Sequence, residues 1–118
     1  MTARVQNAGL ARISATLLGL SWWLSWGTGS AAVATASNVA IPSSEARAVA
    51  VAAQTTTTVT NDTLALSATI TAAGVRAITE VGGFDAVTGG NMDVYSDFAV
   101  INLSTGDAIA FVLNLRFA

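Results

Sequence analysis

The chain has 118 residues, 53% of them hydrophobic and only 10% charged, with a formal net charge of -2. It contains no His and no Cys, and all five of its basic residues are arginine (Arg4, Arg12, Arg47, Arg76 and Arg116). That inventory excludes disulfides, thiolate and imidazole metal sites, Schiff-base chemistry and a serine nucleophile activated by His or Lys. No cofactor and no enzymatic activity are expected. The arginines are scattered and form no basic patch, so nucleic acid is not an expected partner. The length suits one domain with one core. Ordinary domains are about 25% charged. The surface here must instead be built from Ala, Ser, Thr, Gly and Asn. A weakly charged surface is poorly protected against association, so part of it is expected to be buried against partners.

Taken in order, the chain divides into 1–20, a helix or arm; 21–45, an irregular connection containing a Trp-rich strand; and 46–118, a β body. In the first segment Leu10, Ile13, Leu17 and Leu18 fall at helical spacing, and Asn7 is placed to cap a helix beginning at Ala8. Arg4 and Arg12 followed by an apolar stretch and small residues, Ala32-Val-Ala34 among them, also fit the outline of a secretory signal. Ser21, Ser25 and Gly27 interrupt that stretch, and three Trp are unusual in a disposable leader, which favours folded structure. The uninterrupted run is too short for a membrane span, which needs roughly 18 apolar residues. Trp22, Trp23 and Trp26 precede Gly27-Thr-Gly29 as a strand running into a turn. Neighbours on a strand face opposite ways, so Trp22 and Trp23 cannot both be core.

From Ala46 the β signal is sustained. Thr55–Thr60 reads as an edge-like run ended by Asn61-Asp62. Leu64, Leu66, Ala68 and Ile70 alternate with hydroxyl and Ala residues as a half-buried strand. Ala72-Ala-Gly74 turns the chain into a strand over Val75–Phe84, where Gly82-Gly83 marks a bulge or a close backbone approach. The last forty residues hold three apolar runs joined by the turns Asp85–Asn91 and Asn102–Asp107, the pattern of a β-meander. Met92, Val94, Phe98 and Val100 share one face of the middle run. Ile109, Phe111, Leu113, Leu115 and Phe117 share one face of the last, which is expected at the centre of the core. The fold class is mainly β: an antiparallel β-sandwich or jelly-roll-like barrel with a short N-terminal helical segment.

No residue pair stands out as catalytic. Asp62, Asp85 and Asp107 fall in turns, where Asp normally bonds its own backbone. Asp93 and Asp97 lie on one strand face, without the ligand-rich loop that a hard cation needs. Glu80 lies inside an apolar strand, with Arg76 on the same face as its expected ion-pair partner. The alternative is a pair between subunits with Arg47 or Arg116. The sequons Asn61-Asp-Thr63 and Asn102-Leu-Ser104 are short enough to arise by chance. The interface candidates are Trp22, Trp23, Trp26, Arg47, Glu80, Tyr95 and Arg116.

Asn7-Ala-Gly9, Trp26-Gly-Thr-Gly29, Glu45-Ala-Arg47, the Thr-rich strand pair Thr55–Thr71 and Ile78–Ala86 (ITEVGGFDA) stand in the same order as similar segments of small tailed-phage virion proteins. GGN and a terminal strand opened by a Gly-Asp turn follow in both. The chain resembles that group over most of its length. Gly83 departs from the pattern, which usually has Leu before Phe-Asp, and looser packing beside Phe84 is the expected consequence. The resemblance implies a capsid cement or decoration protein on the exterior of the virion, with the major capsid protein and copies of itself, as dimer or trimer, for partners. A tail or fibre-associated β-domain, binding host glycan through Trp or Tyr95 or binding other tail proteins, is the alternative within the same group. Neither reading calls for a membrane.

Overall fold

The computed structural model describes residues 1–31 and 33–117; Ala32, in the small-residue stretch of the signal-like outline, and Ala118 lie outside the described residues. A helix, α1 (Asn7–Leu18), is followed by six strands: β1 (Trp22–Gly27), β2 (Ala48–Thr55), β3 (Thr63–Thr71), β4 (Arg76–Phe84), β5 (Met92–Leu103) and β6 (Ala108–Arg116). The strands form one antiparallel sheet in the order β5-β4-β1-β2-β3-β6, which curls into a nearly closed barrel. The expected class, mainly β with an N-terminal helix, is what the chain adopts.

Side-chain size sets the register. On β2, Ala48, Ala50 and Ala52 face inward while Val49, Val51 and Ala53 are exposed. This inverts the usual order of apolar size, and β1 supplies the reason. Trp22 is paired with Ala50 and Leu24 with Ala48, and Trp22, Leu24 and Trp26 are all buried. Small residues on β2 leave room for large ones on β1, as the taper of a small barrel requires. Trp26 meets Phe111 of β6 edge-on across the interior, with ring centroids 6.3 Å apart. Leu64 and Leu66 of β3 pack with Trp22 in a second cluster, which Leu17 of α1 closes from one end.

Two glycines are fixed by close approach. A Cβ on Gly83 would collide with Val94 Cγ2, and one on Gly82 would lie 2.7 Å from Met92 Sδ. The β4–β5 register shifts on either side, at Ile78/Glu80 and Gly83/Phe84, as the Gly pair suggests. The looser packing expected beside Phe84 does not occur. Phe84 is fully buried, and Arg47 stacks 3.6 Å from its ring centroid.

Three expectations need correction. Thr55–Thr60 is not a strand: β2 ends at Thr55, and the residues after it wrap around Asp62. The Asp62 carboxylate accepts from the Thr57, Thr58 and Val59 amides at 2.8, 3.1 and 2.9 Å and from the Thr63 hydroxyl at 2.8 Å. Those bonds give the backbone a better partner than an edge ladder. Asn7 is the first residue of α1 rather than its cap, and no side chain caps the helix. The last three runs do not form a meander. β4 pairs with β5, but β6 pairs with β3 over its whole length, from Thr63↔Arg116 to Thr71↔Ala108. The apolar face of β6 does join the core, with Phe111 buried in the main cluster and Ile109 and Leu113 packed against it, although the strand itself ends the sheet. Among the described residues no backbone hydrogen bond joins β5 to β6, so the barrel has an open seam between them.

The seam gives a stability ranking. Leu66 is fully buried, while Leu113, its partner on β6, is only half-buried. Leu66→Ala should cost about 2–5 kcal/mol, and Leu113→Ala less than half as much in the isolated protein. Urea denaturation giving equal costs would place β6 in the interior rather than at an edge.

Candidate interaction surface

The segment Thr28–Ala46 has almost no regular structure, yet it covers the outer face of β1 and β4. Buried polar groups hold it there. Glu80 is fully buried. Its Oε1 accepts the Ala40 amide at 2.7 Å, and its Oε2 accepts the Tyr95 hydroxyl at 2.8 Å. The Tyr95 oxygen in turn accepts the Ala31 amide at 2.9 Å. Thr79 donates to Gly29 O at 2.7 Å, and Thr28 N donates to Ile41 O at 3.0 Å. Gly27 lies opposite Glu80 in the β1–β4 pairing, and a Cβ there would collide with the carboxylate. The glycine of Trp-Gly-Thr-Gly therefore makes room for a buried acid, a role that spacing alone did not disclose.

The expected Glu80–Arg76 pair is not made. The register shift between Ile78 and Glu80 breaks the two-residue alternation that would put both on one face. Arg76 pairs with Glu45 at 3.0 Å. Glu45 also accepts Trp26 Nε1 at 3.0 Å and the Ala73 amide at 2.7 Å. Partial desolvation opposes its ionisation, but bonds from Ser43, Ala73, Trp26 and Arg76 outweigh that and hold its pKa well below the usual carboxylate range. Arg47 and Arg116 do not reach Glu80 either. Arg47 donates to the Ala86 and Gly89 carbonyls, both at 2.8 Å, clamping the β4–β5 loop over Phe84. Desolvation lowers the pKa of Arg47, against the pull of Asp85.

The interface candidates thus separate. Trp22 and Trp26 are core, at 3% and 0% exposure, so neither is available to a partner. Trp23 is half-buried beside Val49. Glu80, Tyr95 and Arg47 serve internal bonds, and Arg116 is exposed at the end of β6. Asp93 and Asp97 are both exposed. Desolvation, then the nearby Asp85 charge, raises the Asp93 pKa. Among the described residues no three carboxylates gather to hold a metal ion, and no helix is long and apolar enough to cross a membrane.

Two apolar surfaces remain. One is the outer face of β2, β3 and β6, where Val51, Ser67 and Val112 lie abreast on adjacent strands. Val49, Val51 and Val112 are 71%, 70% and 61% exposed. The other is the seam, a groove of ≈ 690 Å³ lined by Val94, Phe98, Ile101, Ile109, Leu113 and Leu115, among others. The accessible surface is 6634 Å², against roughly 6,000 Å² for a compact monomer of this size. The radius of gyration is 15.2 Å, against about 13.5 Å. Both excesses fit an elongated molecule with an unclosed edge. The sequence signal for the valine face was the Ala-Val-Ala-Val run of β2, which could be assigned a face only once the Trp positions were known.

The carboxylates fix the pH response. Asp62 is held below its ordinary pKa by the Val59 and Thr57 amides first, and Asp85 by the Asn91 amide and side chain. With Glu45, all three bind protons less readily folded than unfolded. Their stabilisation is present above the unfolded carboxylate range, about pH 4, and is lost as pH falls toward the folded values. The urea midpoint should therefore be level near neutrality and drop steadily below about pH 4, and Asp62→Asn should flatten part of that drop. A midpoint unchanged down to pH 2.5 would show that these bonds are absent in solution.

Comparison with protein-family models, with curated proteins and with solved structures gave no match.

Proposed function

We propose that this protein is a virion structural component that works by burying uncharged surface, acting as a cement protein between major capsid subunits on the outside of a phage head. The observation that carries the reading is the valine face of β2, β3 and β6. A strand in mid-sheet presents Val49 and Val51 outward at about 70% exposure, with Val112 level with them on β6. Ser67 of β3 stands between Val51 and Val112, so the face is uncharged with exposed valines on either side, and such a face is suited to burial against a partner. The resemblance of the ordered segments from Asn7-Ala-Gly9 to Ile78–Ala86 supplies the phage context. The mechanism is linkage: a domain that binds only the assembled shell stabilises that shell. Many copies, each contributing a modest interface, add up.

The tail or fibre alternative needs aromatic side chains free to stack on sugar. Trp22 and Trp26 are buried, and the Tyr95 hydroxyl is used by Glu80 and Ala31. Trp23 and the Tyr95 ring are left only half-buried, and no fully exposed aromatic stands among the three Trp and Tyr95, so the cement reading is the better supported.

Heads lacking the protein should assemble but rupture at lower temperature, and added protein should restore them. Binding to stripped heads should persist from ~0.1 to ~1 M salt, because screening acts on charges and the face has none. Val49→Asp with Val51→Asp should weaken that binding at least about tenfold while leaving the fold intact, since both side chains are already exposed. Robust heads together with lost host adsorption would replace this reading with the tail assignment.

A further inference from the structure

The two edges of the seam are not alike. β5 carries Asp93 and Asp97, both exposed, and charges on an edge strand discourage pairing with another chain. β6 reads Ala-Ile-Ala-Phe-Val-Leu-Asn-Leu before its first charge at Arg116. It has no Pro, and no register shift interrupts its pairing with β3. A long unguarded edge beside an apolar groove is a template for an added strand.

The chain carries a segment suited to fill it. Met1–Gln6 has no helix or strand, and all six residues are exposed. Gln6 enters α1 with extended backbone, at φ -79 and ψ 166. In extended form Met1, Ala3 and Val5 fall on one side and Thr2, Arg4 and Gln6 on the other. That is the pattern of a strand with one face on a core and one in solvent. Six extended residues span about 20 Å, comparable to most of β6. With Met1, Ala3 and Val5 turned into the groove, Arg4 would face outward on the side where Asp93 and Asp97 stand. The charge on the segment thus complements the acids on the β5 edge.

We propose that the seam between β5 and β6 is filled by the Met1–Gln6 segment of a second copy, completing each barrel with a strand from its neighbour. A short extended segment is favoured over an edge-to-edge docking of two barrels. β5 stands across the groove, and a whole neighbouring sheet could not follow its edge strand into the gap. The inference needs no capsid and does not depend on the virion assignment. Its test uses the isolated protein, so failure to bind heads and failure to exchange segments are separate results.

The absence of native Cys permits a single spin label. Thr2→Cys places it on the solvent side of the segment, leaving Met1, Ala3 and Val5 unchanged. Spin-labelled copies without isotope are mixed with unlabelled-spin ¹⁵N copies of the natural chain. The amides of Ile109–Leu115 and of β5 near Phe98 should broaden in the ¹⁵N copies. Light scattering should show an oligomer for the natural chain, and Val5→Asp should reduce it to one chain with an unchanged circular dichroism spectrum. Broadening only when spin label and isotope share one molecule would mean that each chain fills its own seam, overturning the exchange. Broadening centred on Val49 and Val51, or none, would overturn occupancy of the seam. A natural chain that is monomeric at high concentration would do the same.

Discussion

A buried carboxylate organises this protein. Glu80 has no exposure and, among the described residues, no cationic partner; its two oxygens are satisfied by an amide of the irregular segment and by the Tyr95 hydroxyl. An unsatisfied acid at that depth would be strongly destabilising. The segment from Thr28 to Ala46 therefore cannot lift away without exposing or orphaning Glu80. A stretch with little ladder bonding of its own is fixed by the polar demand of the strand beneath it. Gly27 is required because the carboxylate fills the space a side chain would take.

That arrangement decides which surfaces are free. The irregular segment covers the outside of β1 and β4, α1 closes one end of the interior through Leu17, and Arg47 pins the β4–β5 loop across Phe84. The valine face and the seam are left open on the strands. The charged groups are mostly used inside: Glu45 with Arg76, Asp62 in its turn, Asp85 with Asn91, Arg47 on carbonyls. A chain with so few charges that spends them on internal bonds has little left to keep its apolar faces apart in solution.

The periodic parts of this architecture were legible in the sequence. Alternation located β3 and β6, the helical spacing of Leu10, Leu17 and Leu18 located α1, and Gly82-Gly83 announced the register shifts that flank them. Pairing was not legible, because alternation says which face a residue takes and nothing about which strand lies beside it. A tight turn after Leu103 reads as a hairpin, yet the nine-residue match of β6 to β3 outcompetes β5. The Arg76–Glu80 expectation failed for a related reason: a bulge resets the count of two, and its exact position is a tertiary property. Thr55–Thr60 was misread because Thr has high β propensity, while the carboxylate of Asp62 offered those amides a closer partner. Of the interface candidates, Trp22 and Trp26 were lost to the core because the Ala positions of β2 make room for them.

The inverted β2 pattern shows how the core dictates the surface. A sheet pairing that put Val49 and Val51 inward would bury more apolar area on β2, and area alone favours it. It would also drive β-branched side chains into the volume held by Trp22 and Trp26, and overpacking of that kind is itself destabilising. The fold resolves the conflict in favour of the tryptophans and leaves the valines outside. Those valines carry an unrealised hydrophobic gain of about 1.5–3 kcal/mol each if fully covered. The gain is absent from the free domain and would be realised only where another surface covers them. Core geometry, rather than a gain in apolar burial on β2 itself, thus places these valines on the outer face.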